Sequence, residues 1–262
     1  MLELKDLHKT FNPGTVNAKT ALDGLSLTLW DGEFVTVIGG NGAGKSTMLN
    51  AAGTLSVDSG EVHLDGVDVT DLPEYKRAAY IGRVFQDPMM GTAPSMHIEE
   101  NLALAARRGQ KRGLRWGITK AEWERYRALL GDLGLGLETR LSSEVSTLSG
   151  GQRQALTLLM ATLKSPKLLL DEHTAALDPK TAAKVMALTD RIVTREKLTT
   201  LMITHNMRDA IQYGSRLVML HEGRVILDIS GEEKENLTVS DLLAQFARVS
   251  GDEFASDRAL LS

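Results

Sequence analysis

Residues 167–179, KLLLDEHTAALDP, set two carboxylates and an imidazole side by side: Asp171, Glu172 and His173. Three leucines lead into them. Such a row admits three readings: a metal cluster, a catalytic acid pair at the end of a strand, or an ordinary polar turn. A metal site built on His173 needs two or three further ligands. The chain's six histidines are scattered, and none is spaced to help. A structural role is therefore expected of His173.

A second chemical stretch is GGNGAGKST, residues 39–47, which matches G-x-x-x-x-G-K-[ST] in full. An apolar strand, 34–38, precedes it, and helix-compatible residues 46–52 follow. Gly39, Gly40, Asn41, Gly42, Ala43 and Gly44 would turn backbone N–H groups inward around an anion. The helix start, with Ser46 and Thr47, adds positive potential. In this motif Lys45 reaches β- and γ-phosphates and Ser46 ligates Mg²⁺.

A third stretch, TLSGGQRQ at 147–154, opens a helix. Ser149 is the expected N-cap, and Gln152 three residues on completes a capping box. The helix that follows, QALTLLMATL, is apolar nearly all round and should be buried. Its N-terminus favours an anion. Alone, this pattern marks only a helix start.

The elements that position these groups follow from periodicity. Residues 2–6, 25–29 and 33–38 read as strands. Residues 61–69 read as a hairpin turning at Asp65-Gly66. From about 88 to 150 the pattern is helical, with Thr119 and Glu122 forming a capping box before Trp123, Tyr126, Leu130 and Leu133. Alternation then returns: a buried strand at 168–170, a helix from Asp178-Pro179, a strand at 201–204 and a short helix to Gly214. A hairpin around Glu222-Gly223 and an amphipathic helix at 238–249 close the series. The expectation is an α/β fold with a mainly parallel sheet, an N-terminal antiparallel β-subdomain and an inserted helical subdomain.

Composition narrows the class. The chain has 262 residues and 42% hydrophobic content, enough for a substantial core. With no cysteine, disulfides and thiolate metal sites are excluded. A net charge of −4 argues against a nucleic-acid footprint over the whole surface. No run approaches 18 apolar residues and the first residues lack a signal-peptide core, so a cytoplasmic protein is expected.

Taken together, the motifs resemble those of an ABC-type ATPase, the nucleotide-binding subunit of ABC transporters. LSGGQ, residues 148–152, is similar to that family's signature. The resemblance covers residues 1–230 and implies a P-loop NTPase core, with the helical subdomain at about 88–150 inside it. Residues 231–262 would be a C-terminal helix and tail. It implies that Phe11 stacks on adenine and that Gln86, in VFQDP, is the Q-loop glutamine, catalytic and near Mg²⁺. It implies that Asp171 holds Mg²⁺, that Glu172 polarises the attacking water and that His205 contacts the γ-phosphate. Residues 175–178 would form the D-loop, bringing Asp178 to the nucleotide. Ser149, Gly150, Gly151 and Gln152 would close on ATP held by a second copy of the chain. One departure stands out: only three leucines separate Lys167 from Asp171, where the family usually has four apolar residues. A one-residue slip in a strand reverses every side chain. A shorter turn at 164–166 is the expected accommodation.

The resemblance also implies partners. Phe85, Gln86 and residues 87–97 would contact a membrane permease, with Met89, Met90 and Met96 either adaptable contacts or buried. The run FNPGTVN, the basic segment 106–117 and DEHTAALDPKTA resemble bacterial importers assigned to tryptophan or tyrosine-like substrates, which pair with a binding lipoprotein. That implies a place on the cytoplasmic face of the membrane. The basic segment admits lipid headgroups, acidic permease loops or nucleic acid, but a solvated face is the plainer reading. Two alternatives remain: an ATP-binding regulatory clamp with impaired hydrolysis, and a non-transport ABC-type ATPase.

Overall fold

The computed structural model describes residues 1–110 and 117–250. In chain order its elements are β1 (Leu2–Phe11), β2 (Lys19–Leu29), β3 (Phe34–Gly39), α1 (Lys45–Gly53), β4 (Ser59–Leu64), β5 (Val67–Asp68) and α2 (Glu74–Arg77). Then come β6 (Ile81–Val84), α3 (Ile98–Ala106), α4 (Lys120–Leu133), α5 (Gly150–Thr162), β7 (Lys167–Asp171) and α6 (Pro179–Glu196). The series ends with β8 (Thr199–Ile203), α7 (Met207–Gln212), β9 (Arg216–His221), β10 (Arg224–Ser230), α8 (Gly231–Glu235) and α9 (Val239–Ser250). The chain divides into two compact units, residues 1–77 with the chain from 197 onward, and residues 78–196.

In the first unit β2, β1, β4 and β5 form an antiparallel sheet. Strand β2 starts at Lys19, earlier than the alternating residues 25–29 suggest. The β1–β2 ladder shifts register after Leu4, Leu7 and Lys9, so bulges break the period of two. The hairpin at Asp65-Gly66 has both residues at positive φ, 51° and 77°, as a type I′ turn requires.

The same unit carries strands in the order β10-β9-β3-β8. Strands β8, β3 and β9 are parallel, and β10 returns antiparallel. All six residues of β3 and all five of β8 are buried, the mark of a parallel strand covered on both faces. A core of Ile38, Met207, Leu217, Met219 and Ile229 is completed by Leu242 and Phe246 of α9. Lys234 of α8 is only 4% exposed. Its Nζ donates to the carbonyls of Ile211, Tyr213 and Gly214 at 2.8, 2.8 and 2.9 Å, closing the C-terminus of α7.

The second unit is built on α5. Ala155, Leu156, Leu158 and Leu159 are buried, as the all-round apolar sequence demands. Strand β6 lies so close that a Cβ on Gly82 would fall 2.1 Å from the Ala161 carbonyl oxygen. Strand β6 pairs in parallel with β7, Arg83 opposite Leu169. Helix α4 carries the anticipated capping box, Thr119 Oγ1 accepting from Glu122 N at 3.2 Å.

Residues 111–116 of the basic segment and the last twelve residues lie outside the described residues. The start of that segment is not a simple solvated face. Arg107 pairs with Glu122 at 3.1 Å, and Arg108 donates to the Ala161 carbonyl and Ser165 Oγ, both at 3.1 Å. Among the described residues no helix is long and apolar enough to cross a membrane.

Candidate functional site

In the first unit the chemistry gathers at the C-terminal edge of the parallel strands, where open α/β sheets bind ligands. Strand β3 ends at Gly39, and α1 begins at Lys45. Between them Gly39, Gly42 and Gly44 have φ of 154°, 76° and 100°. Two of these glycines are required by crowding as well. A Cβ on Gly39 would lie 2.3 Å from the Leu220 carbonyl, and one on Gly44 2.4 Å from that of Ala21. Gly44 gives α1 no side-chain cap. A helix start with no side-chain cap is a place where an anion is favoured.

Lys45 Nζ is buried in this loop and donates to the carbonyls of Gly39 and Gly40 at 2.7 and 2.9 Å. The turn between β9 and β10 braces the loop from outside, since Gly223 N donates to the Ala43 carbonyl at 3.0 Å. His205 stands at the same edge, two residues beyond β8, which is paired with β3 through Val37 and Ile203. Its neighbour Asn206 caps α7, with Oδ1 accepting from Arg208 N and Asp209 N.

Phe11 ends β1 and is 40% exposed. Lys9 Nζ lies 5.9 Å from its ring centroid and ion-pairs with Asp58 at 2.7 Å. Opposite Phe11 in the ladder is Lys19. A Cβ on Gly42 would fall 2.8 Å from Lys19 Nζ, so a second lysine leans over the phosphate loop. Sequence reasoning missed Lys19. Only the strand pairing that carries it back from Phe11 to the loop could have revealed it.

In the second unit the acid row resolves into three environments. Lys167 itself opens β7 and is 2% exposed, so four buried residues still precede Asp171. Asp171 Oδ2 accepts from Arg83 Nη2 at 3.0 Å. Glu172 lies outside the strand, at φ 47°. Strand alternation therefore does not separate the two carboxylates. A left-handed turn does, at a conformation costly for a residue with a Cβ. His173 is buried and its Nε2 lies 3.0 Å from Thr189 Oγ1. Burial pushes its imidazole down to about 4, so it is neutral. Among the described residues no group of three or more His, Cys, Asp or Glu could hold a metal ion.

The signature turn sits in this unit too. Ser149 Oγ accepts from Gln152 N at 3.3 Å, and Ser149 N donates to Gln152 Oε1 at 3.2 Å. Its glycines are also packing residues. A Cβ on Gly151 would meet Thr181 Cγ2 at 2.3 Å, and one on Gly150 would meet Leu177 at 3.3 Å. Asp178 caps α6, and the Thr181 hydroxyl and N–H hold its carboxyl below the usual range. Gln86 follows β6, and the carbonyl of its neighbour Phe85 accepts from Gln154 Nε2 at 3.1 Å. Met89 and Met90 are exposed, and Met96 is half-buried.

A glycine-rich anion cradle between a buried parallel strand and a helix, with a lysine inside it, defines a phosphate-loop nucleotide-binding protein. A family model described as ABC transporter matches residues 22–175. The chain is 49% identical over 248 residues to a tyrosine transport ATP-binding protein of Clostridioides difficile, covering 94% of this chain and 98% of that one. It is 33% identical over 235 residues to a spermidine/putrescine import ATP-binding protein of Haemophilus influenzae, spanning 89% of this chain and 59% of that relative. A dimeric ATP-binding cassette solved in a post-hydrolysis state with ADP and Pi superposes with a TM-score of 0.74 at 31% identity, covering 88% of this chain and 98% of that one. The chain belongs to the ABC transporter ATP-binding family and has its α/β P-loop NTPase fold. It is an ATPase of the transport-coupled kind.

Proposed function

We propose that this chain powers an ABC importer of a small, amino-acid-like cargo, with an aromatic amino acid as the nearest class. The phosphate loop carries the reading: buried Lys45, three glycines at positive φ and an uncapped helix start together suit a nucleoside triphosphate. The identity to a tyrosine transport ATP-binding protein over nearly its full length supports the cargo class.

In this reading Phe11 stacks on adenine. The loop from Gly39 to Thr47 wraps the phosphates, and Lys45 exchanges its carbonyl contacts for β- and γ-oxygens. Glu172 orients the attacking water, Gln86 assists, and His205 contacts the γ-phosphoryl group. Mg²⁺, when bound with ATP, neutralises charge on the phosphoryl oxygens. Ser46, Gln86 and Asp171 offer the oxygen donors a hard cation prefers. Few protein ligands are needed, because Mg²⁺ keeps waters and phosphate oxygens around it.

Ser149, Gly150, Gly151 and Gln152 act on ATP held by a second copy, and Asp178 orders the turn beside them. The solved dimer of a related cassette supports two copies. Residues 85–97, with exposed Met89 and Met90, meet the permease at the cytoplasmic face of the membrane, and a binding lipoprotein delivers the cargo. Hydrolysis with Mg²⁺ is the test, with Glu172→Gln alongside. Turnover in wild type that vanishes in the variant upholds the assignment. Wild type that binds ATP yet stays silent, alone and with its permease, would make it a nucleotide-gated clamp.

A further inference from the structure

Arg83 belongs to no motif read from the sequence, yet it touches two of them. Its Nη2 donates to Asp171 Oδ2 at 3.0 Å, with the two side chains only 15% and 17% exposed. The centre of the guanidinium lies 4.6 Å from the centroid of the Phe85 ring. Phe85 is itself gripped, since its carbonyl accepts from the fully buried Gln154. Arg83 Nε is buried and has no hydrogen-bond partner among the described residues. The guanidinium is thus held by one carboxylate and one aromatic face. Its fork of five donors, suited to bidentate pairing, is incompletely used.

We propose that Arg83 is a positioning residue that occupies the Asp171 carboxylate and restrains divalent-cation binding there, in register with the conformation of Phe85. This rests on the assignment of Asp171 to the cation. The sign follows from charge: a guanidinium in contact with the carboxylate screens it from a cation and repels that cation directly, and partial burial strengthens both effects. Phe85 adjoins Gln86 and the segment with the exposed methionines. A partner that moves this segment would draw the ring, and with it the guanidinium, away from Asp171. Cation affinity would then depend on docking.

The test uses the full chain with ADP, which is not hydrolysed, and Mn²⁺ followed by electron paramagnetic resonance. Arg83→Met should lower the Mn²⁺ concentration for half-saturation of the ADP complex about tenfold, as loss of one close charge warrants. Arg83→Lys, which keeps the charge, should stay near wild type. Phe85→Leu, which keeps Arg83 but removes the ring, should give an intermediate shift and covers the case in which Arg83→Met does not fold. ADP affinity in EDTA should be the same in all variants. An unchanged or weakened Mn²⁺ curve in Arg83→Met, or no shift in Phe85→Leu, overturns the proposal. Wild type in which Mn²⁺ leaves ADP affinity unaltered removes instead the cation assignment of Asp171.

Discussion

Asp171, Glu172 and His173 are neighbours in sequence but not in environment, and each makes a different demand on a substitution. Glu172→Gln keeps the size of the side chain and should leave the left-handed turn intact. We expect it to lower ATP turnover at least about a hundredfold, the scale of a lost general base, while fluorescent-nucleotide titration shows unchanged ATP affinity. His173 tests stability. Its folded pKa, about 4, lies below the ordinary value of 6.5. Stability from the neutral imidazole is therefore fully present above pH 6.5 and is lost as pH falls from 6.5 toward 4. The loss should approach about 3 kcal/mol at the acid end. In His173→Gln that pH-dependent part should disappear, so urea midpoints of variant and wild type should converge between pH 6.5 and 4.5. The sequence could show His173 without companions, but not the hydroxyl of Thr189, sixteen residues away, that holds it. Arg83 was invisible for the same reason. An arginine in a strand carries no period or motif, and only the β6–β7 pairing brings it to Asp171.

Helices α4 and α5 offer a matched pair of experiments on glycine. Gly82, beneath α5, has no room for a methyl group, the obstacle being backbone at 2.1 Å. Gly82→Ala should destabilise the protein by about 1–3 kcal/mol or more, read as a lower urea midpoint. Gly131, inside α4, has open space around it and no positive φ. Gly131→Ala should raise stability by about 0.5–1 kcal/mol, since only backbone entropy changes. The capping boxes at Thr119 and Ser149 were legible because their four-residue pattern is local. So was α5, because its apolar residues surround the axis. Strand β6 was missed: four residues are too few to show a period. The early part of β2 was missed because bulges in its ladder erase alternation.

For the molecule as a whole, the C-terminal helices behave as part of the nucleotide-binding unit. Leu242 and Phe246 of α9 pack into the core that holds Ile38, the residue before the phosphate loop. Lys234→Met leaves three carbonyls at the end of α7 without their donor. We expect a loss of about 2–4 kcal/mol, on the scale of charge-assisted bonds, in guanidinium unfolding. Assembly can be tested separately: Glu172→Gln with ATP should sediment as a dimer and without nucleotide as a monomer. A monomer under both conditions would contradict the two-copy arrangement. That arrangement was legible only through the signature motif, since one chain holds one copy of each part.

The turn at Glu222-Gly223 has a practical corollary. Short exposed hairpins are where engineers usually splice an epitope or a fluorescent reporter, because the chain there tolerates extra length. This one is a keystone: Gly223 donates to Ala43 and accepts from Asp23 N, and its Cα is wedged against Gly44. A tag inserted there would dismantle the cradle it was meant to leave alone. The turn at Asp65-Gly66, whose glycine has open space around it, is the better place to attach a label.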